Sequence, residues 1–402
     1  MPSQNRSHLL PIILVTSLFF LWGFSYGLLD VLNKHFQETL NITKGRSTWL
    51  QAAYFGAYFL MALPAGSIMK KYGYKSGVII GLLLYATGAF LFYPAADMKS
   101  FEFFLFALFI IACGLTCLET AANPYITVLG PPQTSEFRLN LSQSFNGVGA
   151  FIGPIIAANL FFSEENKGSD DLANVRMVYL VIGAVVLIIA FLFFRSHLPE
   201  IKEESTATQR SSVKTLFSFS HFKWAVAAQF FYVGAQVGIM ALFINYVTEY
   251  WNGTSNEKAS YLLSVSLMLF TVGRFAGTAL MKKFKPKTLL AFYAIINTLL
   301  CAVIVAMPGR EAVFALMAVF FFMSIMFPTI FAMGVKNLGA HTKRASSFII
   351  MSIVGGALMP PVMGVVANES TALAYGIPLV CFIFVFYFAW KKSQPDVILS
   401  EK

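Results

Sequence analysis

Apolar residues run in long stretches, parted by short polar breaks, along nearly the whole of this 402-residue chain. A bilayer core takes about twenty apolar residues per helix. Twelve stretches reach roughly that length: 9–34, 48–69, 76–95, 101–127, 139–162, 174–194, 223–250, 259–281, 287–307, 311–334, 344–367 and 371–390. The one long polar gap is 195–222, where Glu200, Lys202, Glu203 and Glu204 lead into a Ser/Thr-rich run. It predicts a solvated linker between two six-helix halves, residues 1–194 and 223–402. The first stretch begins near Leu9, continues past twenty residues and ends in a polar loop without a small-residue cleavage pattern, so it predicts an anchor that stays in place. The pattern predicts an all-α membrane protein with 12 transmembrane helices.

Composition agrees. The chain is 57% hydrophobic and only 12% charged, with a mean hydropathy of +0.69 and 42 phenylalanines. An ordinary soluble domain carries about a quarter charged residues. The net charge of +10 raises nucleic acid as a partner, but its distribution points to the membrane. With the N-terminus placed in the cytoplasm, 20 of the 29 Lys and Arg fall in inner loops and tails and 8 in outer loops, leaving Arg274 inside a helix. Such a bias predicts both termini in the cytoplasm and no nucleic acid. Cys113, Cys117, Cys301 and Cys381 all lie in apolar segments and show neither zinc spacing nor a disulfide framework. No metal and no cofactor is expected. Three N-x-[ST] sequons, at Asn41, Asn252 and Asn368, fall in predicted outer loops.

Three anchors recur along the chain. "AGSIMKKYGYK" (65–75) parallels "AGTALMKKFKPK" (276–287). Pro124 and Gly130 parallel Pro328 and Gly334, and Gly149 and Pro154 parallel Gly355 and Pro360. The offsets are 211, 204 and 206, in chain order. A duplicated six-helix half whose copies both start inside is a parallel repeat, the arrangement of the major facilitator fold. The loop "GSIMKKYGYK" (66–75) resembles that superfamily's signature of a glycine, basic residues and a second glycine, without its usual aspartate.

Three charged residues fall within the predicted helices: Asp30, Glu119 and Arg274. An ionised side chain at mid-bilayer costs roughly 2.5–3.5 kcal/mol on insertion scales, so such residues usually face a cavity or a partner. Glu119 lies about 4–5 Å from the middle of its apolar stretch, toward the cytoplasm, with Thr116 and Asn123 on the same face and Pro124 beside them. Asp30 lies toward the outer end of the first stretch, sharing a face with Trp22, Tyr26 and Asn33. Aromatic rings beside hydrogen-bonding groups suit a sugar, which has apolar C–H faces and polar edges. Gln143 and Asn146 in the fifth stretch, and Tyr232 and Gln236 in the seventh, supply uncharged hydrogen-bonding groups. Each of these serves equally well as sugar contact or as glue between helices. Arg274 reads as a topology anchor or a clamp between helices, its long stem reaching the interface. Pro124 with Gly130, and Pro328 with Gly334, predict points where two helices bend.

At these residues a family becomes visible. "CLETAANPYITVLGPP" (117–132), "FRLNLSQSFN" (137–146), "YPAAD" (93–97) and "FPTIFAMGVKNLG" (327–339) resemble the L-fucose/proton symporter family of major facilitators. The resemblance runs over nearly the whole chain. It implies import of a monosaccharide (L-fucose, glucose and galactose, or N-acetylglucosamine), driven by protons, with Asp30 and Glu119 carrying the proton coupling and Asn146 in the sugar site. The chain departs at Gly27, where the fucose symporter has an asparagine three residues before its aspartate, so the sugar need not be fucose.

The expected function is therefore a proton-coupled monosaccharide symporter, not an enzyme, acting as a monomer in the lipid bilayer of a plasma membrane or bacterial inner membrane. A sodium-driven variant uses the same kinds of ligand. A sugar sensor on the same fold commonly carries a long cytoplasmic tail, whereas the tails here are about eight and twelve residues. An enzyme would need its two carboxylates at one bond. Asp30 and Glu119 differ in expected depth by about 15 Å on ideal helices.

Overall fold

The structure, a computed structural model, describes residues 9–128, 135–162, 172–196, 216–281, 283–338 and 342–394. Among them, twelve helices are long and apolar enough to cross a membrane. We label these spans in chain order. The first six are α1 (Leu9–Thr39), α2 (Trp49–Tyr72), α3 (Tyr74–Asp97), α4 (Phe101–Val128), α5 (Ser135–Phe161) and α6 (Ala173–Arg195). Then come α7 (Ser220–Ala241, continued by Phe243–Tyr250), α8 (Asn256–Leu280), α9 (Pro286–Ala306) and α10 (Arg310–Met323, continued by Met326–Val335). Finally, α11 joins Thr342–Met351 to Gly355–Glu369 through a 3₁₀ turn, and α12 joins Thr371–Ala374 and Gly376–Tyr387 to a π turn ending at Lys392. Most of the expected linker, 197–215, lies outside the described residues.

The apolar pattern places the elements well and their ends less well. The first helix runs five residues past its predicted end. Its last turns are polar, and Lys34 pairs with Glu38 one turn on at 3.2 Å, which extends the helix beyond the apolar stretch. The glycine that ends the signature loop, Gly73, sits at φ +85° between α2 and α3, a conformation that favours glycine. Two residues on, Lys75 Nζ donates to the carbonyls of Phe194 (3.0 Å) and Ser196 (2.7 Å). A basic residue of the loop thus caps the C-terminal end of α6.

The chain folds as two compact units. In the first, α1 packs along α5, α3 lies between α4 and α6, and α2 lies on α4. In the second, α7 packs along α11, α9 lies between α10 and α12, and α7 also touches α10 and α12. The pairings α1–α5, α3–α4 and α3–α6 recur as α7–α11, α9–α10 and α9–α12, as a duplication predicts. The anchor glycines show how. A Cβ on Gly149 of α5 would lie 2.3 Å from the Phe20 carbonyl of α1, and one on Gly355 of α11 would lie 2.0 Å from the Phe230 carbonyl of α7. Each repeat therefore needs glycine where its fifth helix meets its first.

The units exchange short segments. Lys44–Thr48, the short helix and turn before α2, groups with the second unit. There Lys44 Nζ pairs with Glu249 at 2.5 Å and donates to the Thr371 hydroxyl at 2.8 Å. Ser255–Ser264, the start of α8, groups with the first unit. Its Asn256 donates to the Glu38 carboxylate at 2.7 Å, and Ser264 donates to the Phe151 carbonyl at 2.6 Å.

Candidate functional site

Asp30 is 3% exposed on α1, so its carboxyl depends on protein partners. It has one on α2: Gln51 Nε2 donates to Asp30 Oδ1 at 3.2 Å. Gln51 is itself fully buried and accepts from Asn33 Nδ2 at 3.4 Å, and Asn33 accepts from Gln37 Nε2 at 3.1 Å. Three amides thus form one directed chain. Each donates through its NH₂ toward the carboxylate, and Gln51 and Asn33 each accept through the carbonyl from the amide behind. An ionised carboxylate only accepts, so it fixes the sense of the whole chain.

Glu119 is half-buried on α4, and among the described residues its carboxylate makes no hydrogen bond or ion pair. Its expected polar company on the same helix is engaged elsewhere: the Thr116 hydroxyl donates to the Ala112 carbonyl and that of Thr120 to the Thr116 carbonyl, both at 2.7 Å. The polar neighbours come from α2 instead. Tyr54 and Tyr58 lie within electrostatic reach of Glu119, their rings 5.4 Å apart. Both phenol oxygens are buried without a well-formed hydrogen bond among the described residues. The side chains of Asn123 and Pro124, and all of Gly130, lie outside what the structure describes.

One face of α2 therefore joins the two carboxylates. Gln51, Tyr54 and Tyr58 stand at i, i+3 and i+7, about 10 Å along the axis from first to last. Gln51 holds Asp30, and the two tyrosines stand by Glu119. Sequence reasoning missed this helix because none of these residues is charged. The signal was there as three hydrogen-bonding side chains at helical spacing within an apolar span. Trp22 and Tyr26 line the same region from α1: Trp22 is half-buried beside the Tyr58 hydroxyl, and Tyr26 meets Phe55 of α2 edge to face, centroids 6.2 Å apart. Aromatic walls, two phenols and an unpartnered carboxyl form a site suited to a polyhydroxylated ligand with apolar faces.

The other predicted residues divide. Asn146 of α5 donates to the Phe19 carbonyl of α1 at 3.2 Å, tying two helices. Gln143 is half-buried on the same helix. Gly27 faces α5: a Cβ there would lie 2.6 Å from the Ala150 carbonyl and 2.9 Å from Pro154 Cδ. The missing asparagine is thus explained by packing, since any side chain at 27 would push α1 and α5 apart in this arrangement. Gln236 on α7 is half-buried and, among the described residues, without a hydrogen bond.

Tyr232 and Arg274 converge on the break in α10. Pro328 has no N–H for the carbonyl four residues back, that of Ser324. Arg274 Nε of α8 reaches that carbonyl at 3.4 Å, with its guanidinium 5.0 Å from the Phe270 ring centroid. One residue earlier, the Met323 carbonyl accepts from the Tyr232 hydroxyl at 2.8 Å, and Tyr232 is fully buried. In this structure Tyr232 is therefore glue between α7 and α10, and Arg274 a clamp between α8 and α10. Gly334 is a close-packing position, where a Cβ would lie 2.6 Å from Ala225 Cβ and 2.7 Å from Ile349 Cδ1. Tyr232→Phe should lower stability by about 1 kcal/mol and leave the half-saturating substrate concentration within twofold. Thermal unfolding together with concentration-dependent uptake checks both, and a many-fold rise in that concentration would make Tyr232 a substrate contact. Among the described residues, no group of three or more His, Cys, Asp or Glu could hold a metal ion.

Comparison with known proteins gives consistent results. A profile of the Major Facilitator Superfamily matches residues 15–358. The chain is 41% identical to the L-fucose-proton symporter of Escherichia coli K12, over 97% of this chain and 95% of that one. It is 40% identical to a putative glucose/galactose transporter of Helicobacter pylori 26695, over 98% and 99%. A crystal structure of the E. coli fucose:proton symporter, FucP, superposes with a TM-score of 0.70 at 40% identity, covering 96% of this chain and all of that one.

Proposed function

The chain belongs to the L-fucose–proton symporter family of the Major Facilitator Superfamily, and we propose that it imports a monosaccharide such as L-fucose together with a proton by alternating access. The observation that carries this reading is the Glu119 carboxyl, without a partner among the described residues and within an apolar span, beside two buried phenols and two aromatic side chains of α1. A carboxyl in such surroundings either carries a proton or needs donors from outside the protein. A sugar hydroxyl supplies one, and the phenols supply further partners to the same ligand.

In this mechanism Glu119 takes a proton from the outer side, the sugar binds against Trp22, Tyr26, Tyr54 and Tyr58, and the site closes. Release of proton and sugar inside completes the cycle. Asp30, held by the amide chain nearer the outer end, governs access to the site or relays the proton. The two halves, 1–194 and 223–402, move against each other about the 195–222 linker, and Pro124 in α4 and the break before Pro328 in α10 let those two helices bend. The Lys and Arg bias supports cytoplasmic termini. One chain contains both halves, which supports a working monomer.

A second sugar class has a specific observation in its favour. Identity to the putative glucose/galactose transporter of H. pylori, 40%, nearly equals the 41% to the fucose symporter. Uptake of labelled L-fucose, D-glucose, D-galactose and N-acetylglucosamine, each with and without a protonophore, tests the proposal. We expect one or two of the four to accumulate and the protonophore to abolish accumulation. Accumulation of none overturns the sugar assignment, and accumulation that follows sodium and ignores the protonophore overturns proton coupling.

A further inference from the structure

A cavity of about 480 Å³ opens at one end of the second unit, where α8 and α10 end, α9 begins and the chain leaves α12. Met281, Met333 and Pro328 contribute to an apolar wall, and Lys285, Lys287 and Lys336 also line it. Among the described residues, no carboxylate lines the cavity. Among the described residues, none of the three ammonium groups has an ion pair or hydrogen-bond partner within the protein. Three cations at one cavity repel one another, and that cost falls when an anion joins them.

Position narrows the anion. Lys285 immediately precedes α9 and Lys336 immediately follows α10, so both stand where apolar spans meet the aqueous phase. Lysines at that depth meet lipid phosphates, and the cavity sets Met281, Pro328 and Met333 beside them as an apolar wall. A small soluble anion would use the lysines and gain nothing from Met281 and Met333. We propose that this cavity binds the headgroup of an anionic phospholipid, its phosphate among Lys285, Lys287 and Lys336 and its glycerol end against the apolar wall. That the leaflet is the cytoplasmic one rests on the orientation proposed above. The bound lipid touches Pro328 and Thr329, the first turn of α10 after its break, so occupancy bears directly on the bend of that helix.

The test uses the full chain in mixed micelles of phosphatidylglycerol and phosphatidylcholine, with retained lipid counted by native mass spectrometry. We expect the protein to retain phosphatidylglycerol preferentially. Each lysine should contribute roughly fivefold, so the triple variant Lys285→Gln, Lys287→Gln, Lys336→Gln should lose most of the preference. A control at exposed lysines elsewhere, Lys71→Gln with Lys223→Gln, should keep it. An excess of inorganic phosphate should leave the lipid in place. If the triple variant unfolds early, the three single variants are each expected to show the fivefold loss. A preference that survives these substitutions overturns the proposal. Displacement by inorganic phosphate overturns it too, by making the cavity a soluble-anion site. Neither result depends on which sugar is carried or on whether any is.

Discussion

Glu119→Gln is expected to abolish concentrative uptake while sugar exchange across the membrane continues. The amide keeps the size and much of the hydrogen-bonding capacity of the carboxyl, but it cannot release a proton. Exchange needs only a loaded carrier that reorients. Net accumulation needs an empty carrier to return after giving up its proton. We expect accumulation against a gradient to fall to the protonophore-treated level, with exchange retained within a few-fold. Counterflow and concentrative uptake, measured on the same vesicles, separate the two. Unchanged proton-driven accumulation in the variant would remove Glu119 from the coupling mechanism.

The second large effect is structural. Gly23→Leu should prevent stable folding. Even a single Cβ at position 23 would lie 1.9 Å from the Asn146 carbonyl oxygen, so α1 and α5 must separate by more than an ångström to admit it. Overpacking a well-fitted core costs about 1–3 kcal/mol and occasionally more. Here the obstacle is backbone, which cannot rotate away as a side chain can, and a loss above about 3 kcal/mol is expected. Gly56 is the internal control: nothing lies within 4 Å of its Cβ direction. Gly56→Ala on α2 should be neutral or stabilise by about 0.5–1 kcal/mol through helix preference. Thermal unfolding of the purified variants in detergent checks both. A Gly23→Leu protein that unfolds at the parent temperature would contradict the α1–α5 contact.

The sequence revealed the twelve helices because bilayer thickness imposes a length that an apolar run displays directly. It revealed the duplication because Gly149 and Gly355 are required by backbone contacts that admit no alternative residue. Asp30 and Glu119 stood out because charge is rare in an apolar span. What surrounds them was far less legible. Gln51, Tyr54 and Tyr58 are neutral, so only the packing of α2 shows that they connect the two carboxylates. Tyr232 fitted sugar contact and inter-helix glue equally well, because a sequence does not say which face of α7 is covered. Its partner is a backbone carbonyl at a helix break, and a carbonyl leaves no trace in residue identity. Gly27 illustrates the same limit. A substitution that reads as an absent ligand is, in three dimensions, a packing position against Ala150 and Pro154.

Coupled movement of sugar and proton is the centre of this account. The direct measurement is the external pH of lightly buffered, de-energised vesicles containing the protein, recorded as sugar is added outside. The account predicts a sugar-dependent alkalinisation, as each imported sugar carries a proton inward, and its absence in Glu119→Gln vesicles that still exchange sugar. Sugar entry with no pH change in the parent protein, or an equal alkalinisation in the variant, would contradict it.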